Sequence, residues 1–295
     1  MASAQSAAVA AIYRTWLAGP AEGDPIHDQR QWDVLTSEPG GVDYQEAEVA
    51  GSTAWWVTPH DSDRDRVLFC VHGGGFVSGS VHTHRRMFAH LAKAAGVRAL
   101  VVGYPLLPQG AHPVALDTVF ASYKALLATG VRPEHIALAG DSAAAVALFG
   151  LQLRARDEGL PLPAATMPIS PWVDMEVTGG TMETNREVEA LFNQPWVAQM
   201  AAGYLNGTSP RDPYVNALYA DLTGFGPLYI QVGGHEVLLD DSRRLAEHAE
   251  KAGVEVRLDV FPEMQHTFQM MAGRAPEADD AIARLAAWVR PLLGL

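Results

Sequence analysis

Four short stretches of the chain carry side chains that could do covalent chemistry together. They are His72-Gly73-Gly74-Gly75-Phe76, Gly140-Asp141-Ser142-Ala143-Ala144, Gly233-Gly234-His235-Glu236 and Pro262-Glu263-Met264-Gln265-His266, and each follows an apolar run. A serine hydroxyl is a weak nucleophile at neutral pH and needs a base within hydrogen-bond reach; His266 is the candidate. The imidazole in turn needs a carboxylate to hold its tautomer and stabilise the imidazolium, and Glu236 is placed for that. Successive glycines let backbone N–H groups turn towards an oxyanion without a Cβ in the way. The N–H groups of Gly74, Gly75 and Ala143 would form such a hole, each donor contributing about 3–4 kcal/mol to the barrier. The chemistry these residues suggest is acyl transfer onto Ser142.

These residues must be carried by elements that bring them to one place. From about Val67 the chain alternates apolar runs with longer amphipathic stretches. The runs are VLFCVH (67–72), RALVVGY (98–104), HIALAG (135–140), TMPIS (166–170), PLYIQVG (227–233) and VEVRLDVF (254–261). Continuous apolar strands separated by helices predict an α/β fold, with a mostly parallel central sheet and helices on both faces. Ligands bind such sheets beyond the carboxyl ends of the strands, which is where the serine, the acid, the histidine and the glycines fall. Upstream, YQEAEVAGSTAWWVTP alternates and predicts an antiparallel edge hairpin.

Two segments break the alternation. Residues 1 to about 40 read as one or two helices, with Ile12, Tyr13, Trp16 and Leu17 on one stripe. Residues 175 to about 215 place Leu191, Phe192, Trp196, Met200 and Tyr204 at helical spacing. Such a stripe serves either as core packing or as a lid over a pocket. On the second reading Leu191, Trp196 and Met200, with Phe76 after the glycines, are the candidate pocket walls. The expected division is 1–45 N-terminal cap helices, 46–174 and 216–295 core, and 175–215 cap insertion.

Bulk properties narrow the partners. The 295 residues carry 34 acidic against 21 basic side chains, a net charge of −13 that disfavours nucleic acid and anionic lipid surfaces. No apolar stretch approaches the roughly 20 residues needed to span a bilayer. The lone Cys70, inside RVLFCV, reads as a buried core residue. The N-terminus lacks the basic start of a secretory signal, so a cytoplasmic location is expected. His82 and His84 have a metal-like spacing but no acid or cysteine beside them, which predicts exposed loop histidines, no metal site and no cofactor.

Taken together, HGGGF, GDSAAA, ISPWVDM, EVLLDD and FPEMQHTF resemble the hormone-sensitive-lipase-like branch of the α/β-hydrolases, the bacterial serine carboxylesterases. The likeness runs from about Tyr44 to the end. It implies an α/β-hydrolase fold with a two-part helical cap, and the catalytic order Ser142, Glu236, His266. It also implies small to medium acyl esters or lactones as substrates, and a homodimer through the last strand and helix. The chain departs from the family pattern at Ala144 and Ala145, where the elbow normally has glycine and each methyl must find room. It departs again at GYPLLPQGAHP, which keeps Tyr104, Pro108 and Pro113 but lacks the usual arginine and glutamate. Asp240 and Asp241 compete with Glu236 as the acid, although Asp241 and Ser242 read better as helix caps. A non-catalytic ligand-binding protein on this scaffold and an acyltransferase are the alternative functions.

Overall fold

The structure, a computed structural model, describes residues 2–17, 32 and 34–295. Among these, eight strands form one sheet in the order β1-β2-β4-β3-β5-β6-β7-β8. β1 (Val42–Val49) and β2 (Ser52–Pro59) make the antiparallel edge hairpin, and β2 also pairs antiparallel with β4 (Val97–Val102). The other strands run parallel: β3 (Asp63–Val71), β5 (Ile136–Asp141), β6 (Ala165–Ile169), β7 (Leu228–Gly233) and β8 (Val256–Phe261). β5, β6 and β7 are buried along their whole length, as continuous apolar runs covered on both faces must be. β8, at the edge, alternates Val, Arg, Leu, Asp and is only partly buried.

The helices sit on the two faces. α1 (Ala4–Leu17), α2 (Val81–Ala95) and α8 (Pro276–Leu292) share one core cluster, in which Val9, Tyr13, Phe88, Leu91, Ile282 and Leu285 meet. α3 (Val114–Ala128) and α4 (Ala144–Asp157) pack on the opposite face. α2 starts at a capping box, Ser80 with Thr83, and stops at the left-handed Gly96. α7 (Leu239–Lys251) begins after Leu238 with no side-chain cap, so Asp241 and Ser242 are not the caps their types suggested. Asp241 turns inward instead and accepts the Val173 and Asp174 N–H groups, each at 2.9 Å. Burial pushes its carboxyl up to about 7 against the pull of those donors.

Of the N-terminal segment, α1 docks through Ser3 and Ser6 on Glu277 of α8 and through the Tyr13 hydroxyl on the His266 carbonyl, at 2.9 Å. The possible second N-terminal helix falls mainly on residues 18–31 and 33, outside the described residues. Residues 175–215 hold a single short turn of helix, α5 (Thr181–Thr184), and α6 (Gln194–Leu205), which is capped by Asn193 and has Pro195 in its first turn. No helix among the described residues is long and apolar enough to cross a membrane.

The helix that follows Ser142 lies against β5 with no space to spare. Ala144 and Ala145 are fully buried. Room for the Ala144 methyl comes from Gly140: a Cβ built there would stand 2.9 Å from Ala144 Cβ, 2.9 Å from the Val71 carbonyl and 3.0 Å from Leu148 Cδ1. The close approach that glycine at 144 would serve is thus met one turn earlier in the chain. Gly140→Ala is expected to lower stability by about 1–3 kcal/mol through overpacking, read as a reduced urea midpoint with an unchanged slope.

Candidate active site

The carboxyl ends of β3, β5, β6, β7 and β8 bring the candidate groups together. Ser142 stands directly after β5 with φ of 53°, a left-handed backbone that a non-glycine residue adopts only under constraint. Its N–H donates to the Ile169 carbonyl at 2.9 Å, and its carbonyl accepts from Trp172 N–H and Ala145 N–H, so the bend is held from three sides. The hydroxyl lies at the amino end of α4, where the helix dipole favours negative charge.

His266 and Glu236 are joined by a 2.8 Å hydrogen bond from Nδ1 to Oε2, and both are buried. The second oxygen, Oε1, accepts the Ser170 hydroxyl at 2.6 Å and the Gly233 N–H at 2.5 Å. Ser170, at the end of β6, also receives the Thr267 N–H at 3.1 Å, tying the acid loop to the histidine loop. Ser170 Nα donates to Gln231, and the neighbouring Ile169 holds Ser142, so one strand end braces all three positions. His266 Nε2 is buried and has no hydrogen-bond partner among the described residues, Ser142 Oγ included. Such bonds commonly tighten only when substrate binds. Burial works against the imidazolium, but Glu236, with Glu189 and Asp141 behind it, outweighs burial and raises His266 above its ordinary range. Asp240 and Asp241 are engaged elsewhere: Asp240 accepts the Thr181 N–H at 3.0 Å.

The glycine run forms a tight turn. Gly74 has φ of 112° and Gly75 φ of 62°, and Val77 and Ser78 donate back to the Gly74 carbonyl. The turn is anchored by Asp141, whose Oδ1 accepts the Gly73 N–H at 3.0 Å. Burial pushes the Asp141 carboxyl up, but nearby His84 and the Gly73 N–H outweigh it and hold it below the usual carboxylate range. Among the described residues, the N–H groups of Gly74, Gly75 and Ala143 have no hydrogen-bond acceptor.

His84 does not sit in an exposed loop. It lies on α2, fully buried, with Nε2 3.3 Å from Asp141 Oδ2. The helix face it occupies packs on the sheet, which its sequence neighbours do not reveal. His82, two residues earlier and so on the other side of the helix, is exposed and meets Trp55 edge to face. His72 is buried, bonds Gly73 O through Nδ1 at 2.8 Å and stacks on Tyr104 at 4.3 Å; burial, with His84 adding, lowers it to about 3. It is therefore neutral and structural in its contacts.

Beside Gly74 lies a narrow, nearly filled apolar slot of about 10 Å³ walled by Trp16, Trp32, Ser78, Leu191, Phe192 and Met200. Leu191 and Met200 are thus at the slot. Phe76 is fully buried and stacks on Tyr204 at 3.7 Å, while Trp196 is half-buried and packs on Phe192 from outside at 5.7 Å; neither borders the slot. Phe192 also meets the His266 ring edge to face at 4.9 Å. The candidate list drawn from sequence omits Trp16, Trp32, Phe192 and Ser170. The apolar stripes of α1 and the cap contain Trp16 and Phe192, whereas nothing local to Ser170 signals its two bonds.

Comparison with known proteins agrees with this fold. Residues 68–270 match the model of a family described as having the alpha/beta hydrolase fold. An acetyl-hydrolase of Streptomyces hygroscopicus is 40% identical over 90% of this chain and 87% of its own length. An esterase of Acinetobacter venetianus is 36% identical over 77% of this chain and 75% of its own. The crystal structure of an esterase from the bacterial hormone-sensitive lipase family superposes with a TM-score of 0.94, at 38% identity and full coverage of both chains.

Ser170→Ala would strip Glu236 Oε1 of one donor and leave the Thr267 N–H buried without an acceptor. The expected cost is about 1–3 kcal/mol, measured by urea unfolding.

Proposed function

The chain belongs to the hormone-sensitive-lipase-like family of α/β-hydrolases, and on that premise we propose that it is a serine carboxylesterase that cleaves esters of small acyl groups. Hydrolysis of carboxylic esters follows from its relatives, which are acetyl-hydrolases and esterases. The observation that carries the assignment of residues is the buried Glu236–His266 pair, whose Nε2 has no partner among the described residues, at the same sheet edge as a serine held at a strained elbow.

In this reading His266 Nε2 takes the Ser142 hydroxyl proton as Oγ attacks the ester carbonyl. The tetrahedral oxyanion is held by the N–H groups of Gly74, Gly75 and Ala143, which have no other acceptor among the described residues. Glu236 keeps the Nδ1 proton in place and stabilises the imidazolium. The imidazolium then gives its proton to the leaving alcohol, and water, deprotonated by the same nitrogen, releases the acid from Ser142. Residues 1–45 and 175–215 act as a two-part cap. Their Trp16, Trp32, Leu191, Phe192 and Met200 wall the narrow slot beside Gly74, whose free volume of only about 10 Å³ favours acetyl and other short acyl groups over long chains.

Two measurements test this. Ser142→Ala is expected to lower p-nitrophenyl acetate turnover by a factor on the order of 10⁴ or more and to abolish fluorophosphonate labelling; a folded, unaltered chain that neither labels nor turns over would favour a ligand-binding protein instead. Because His266 must be neutral to accept the proton, kcat/KM should decline as pH falls through a midpoint above about 6.5, the ordinary imidazole value. Glu236→Gln should move that midpoint down, since it removes the charge that favours the imidazolium.

A further inference from the structure

A buried carboxylate lies in the cap that the proposed reaction does not use. Glu189 is 7% exposed and sits on the segment between α5 and α6. Its Oε1 accepts the Leu191 N–H at 2.8 Å, which shapes its own loop. Its Oε2 accepts the N–H of Val237 at 3.0 Å, the residue after Glu236.

Two neighbours make parallel attachments. Asn185 Nδ2 donates to the Gly234 carbonyl at 3.0 Å and to the carbonyl of Glu236 itself at 2.8 Å. Gln265, the residue before His266, accepts the Ala190 N–H at 2.9 Å and donates to the Val188 carbonyl at 2.9 Å. One stretch of cap, residues 185–191, is therefore bonded to the chain on either side of the acid and to the residue preceding the histidine. The next residue, Phe192, rests on the His266 ring.

We infer that Glu189 is a positioning residue: its carboxylate fastens the cap segment as a splint across the loops after β7 and β8, so that seating the cap and aligning Glu236 with His266 are a single event. The inference rests on the proposed roles of that pair. Burying a carboxylate is costly unless its oxygens are satisfied, and both oxygens of Glu189 are spent on backbone donors rather than on a cation or solvent. Burial pushes its carboxyl up, partly offset by His266 and the two donors. A residue kept only to fill space at this position would need no acceptor on each side. The cap thus wraps the slot and also sets the geometry of the pair beneath it.

The test compares Glu189→Gln and Glu189→Ala with the unaltered chain, using p-nitrophenyl acetate kinetics and the low-field proton resonance of His266 Nδ1–H. Gln retains one acceptor and Ala none. The expected result is a fall in kcat of roughly tenfold to a hundredfold, larger for Ala than for Gln, with KM little changed and the resonance lost or exchange-broadened. Asn185→Ala, half-buried at the far end of the splint, should act in the same direction and serves if the Glu189 variants do not fold. Wild-type kcat with a sharp resonance and only a lower melting point would overturn the inference, as would a rise in KM alone, which would make Glu189 a substrate contact. Should the unaltered chain hydrolyse no ester, the esterase reading fails, and the resonance still decides the splint by itself.

Discussion

The structure depends on a carboxylate and an imidazole held together out of water. Glu236 and His266 are both buried, and a buried charge is tolerable only when its polar atoms are met. Three of the four atoms concerned are: Oε1 by Ser170 and Gly233, Oε2 by His266, and Nδ1 by Glu236. The fourth, Nε2, has no partner among the described residues. In a low-dielectric setting an unpaired ring nitrogen is costly, and in the neutral ring it is free to accept a hydrogen bond. The strand order supplies the rest, because β5, β6, β7 and β8 are adjacent and parallel and so deliver Ser142, Ser170, Glu236 and His266 to one edge.

The turn that exposes Ser142 and the turn that carries the glycines are one construction. Asp141 precedes the serine and its carboxylate holds Gly73, so the elbow cannot shift without moving the glycine loop. Behind it stand His84 and, stacked on Tyr104, His72. The bend itself tolerates alanine at 144 because Gly140 has no side chain to compete with the methyl. Strain at Ser142 is thereby supported by packing on the helix side and by hydrogen bonds on the sheet side.

The N-terminal helix and the segment between α5 and α6 are bonded to the loops beneath them. Tyr13 bonds the His266 carbonyl, Glu189 and Asn185 bond the acid loop, and Gln265 bonds the cap backbone. Apolar side chains from the same segments close the slot beside Gly74. Attachment and lining thus come from neighbouring residues of the same segments.

Much of this was legible in the chain itself. The apolar runs placed every parallel strand to within a few residues, since burial on both faces demands continuous hydrophobicity, and the local patterns around 72–76, 140–144, 236 and 266 marked groups that lie at one edge of the sheet. Pattern could not show which way a helix faces: His84 read as an exposed loop residue and lies in the core, and Asp241 read as a cap and turns to the loop after β6. It could not find Ser170, Glu189 or Gln265 either. The partners that tie them to other loops stand 48 to 97 residues away, and polar residues in irregular loops carry no periodicity that points to them. Hydrophobic period and motif spacing are properties of neighbouring residues, so the sequence determined the sheet and which candidate groups reach its edge. Which polar atoms are satisfied, and by what, is a property of distant segments brought together, and only the tertiary structure decided it.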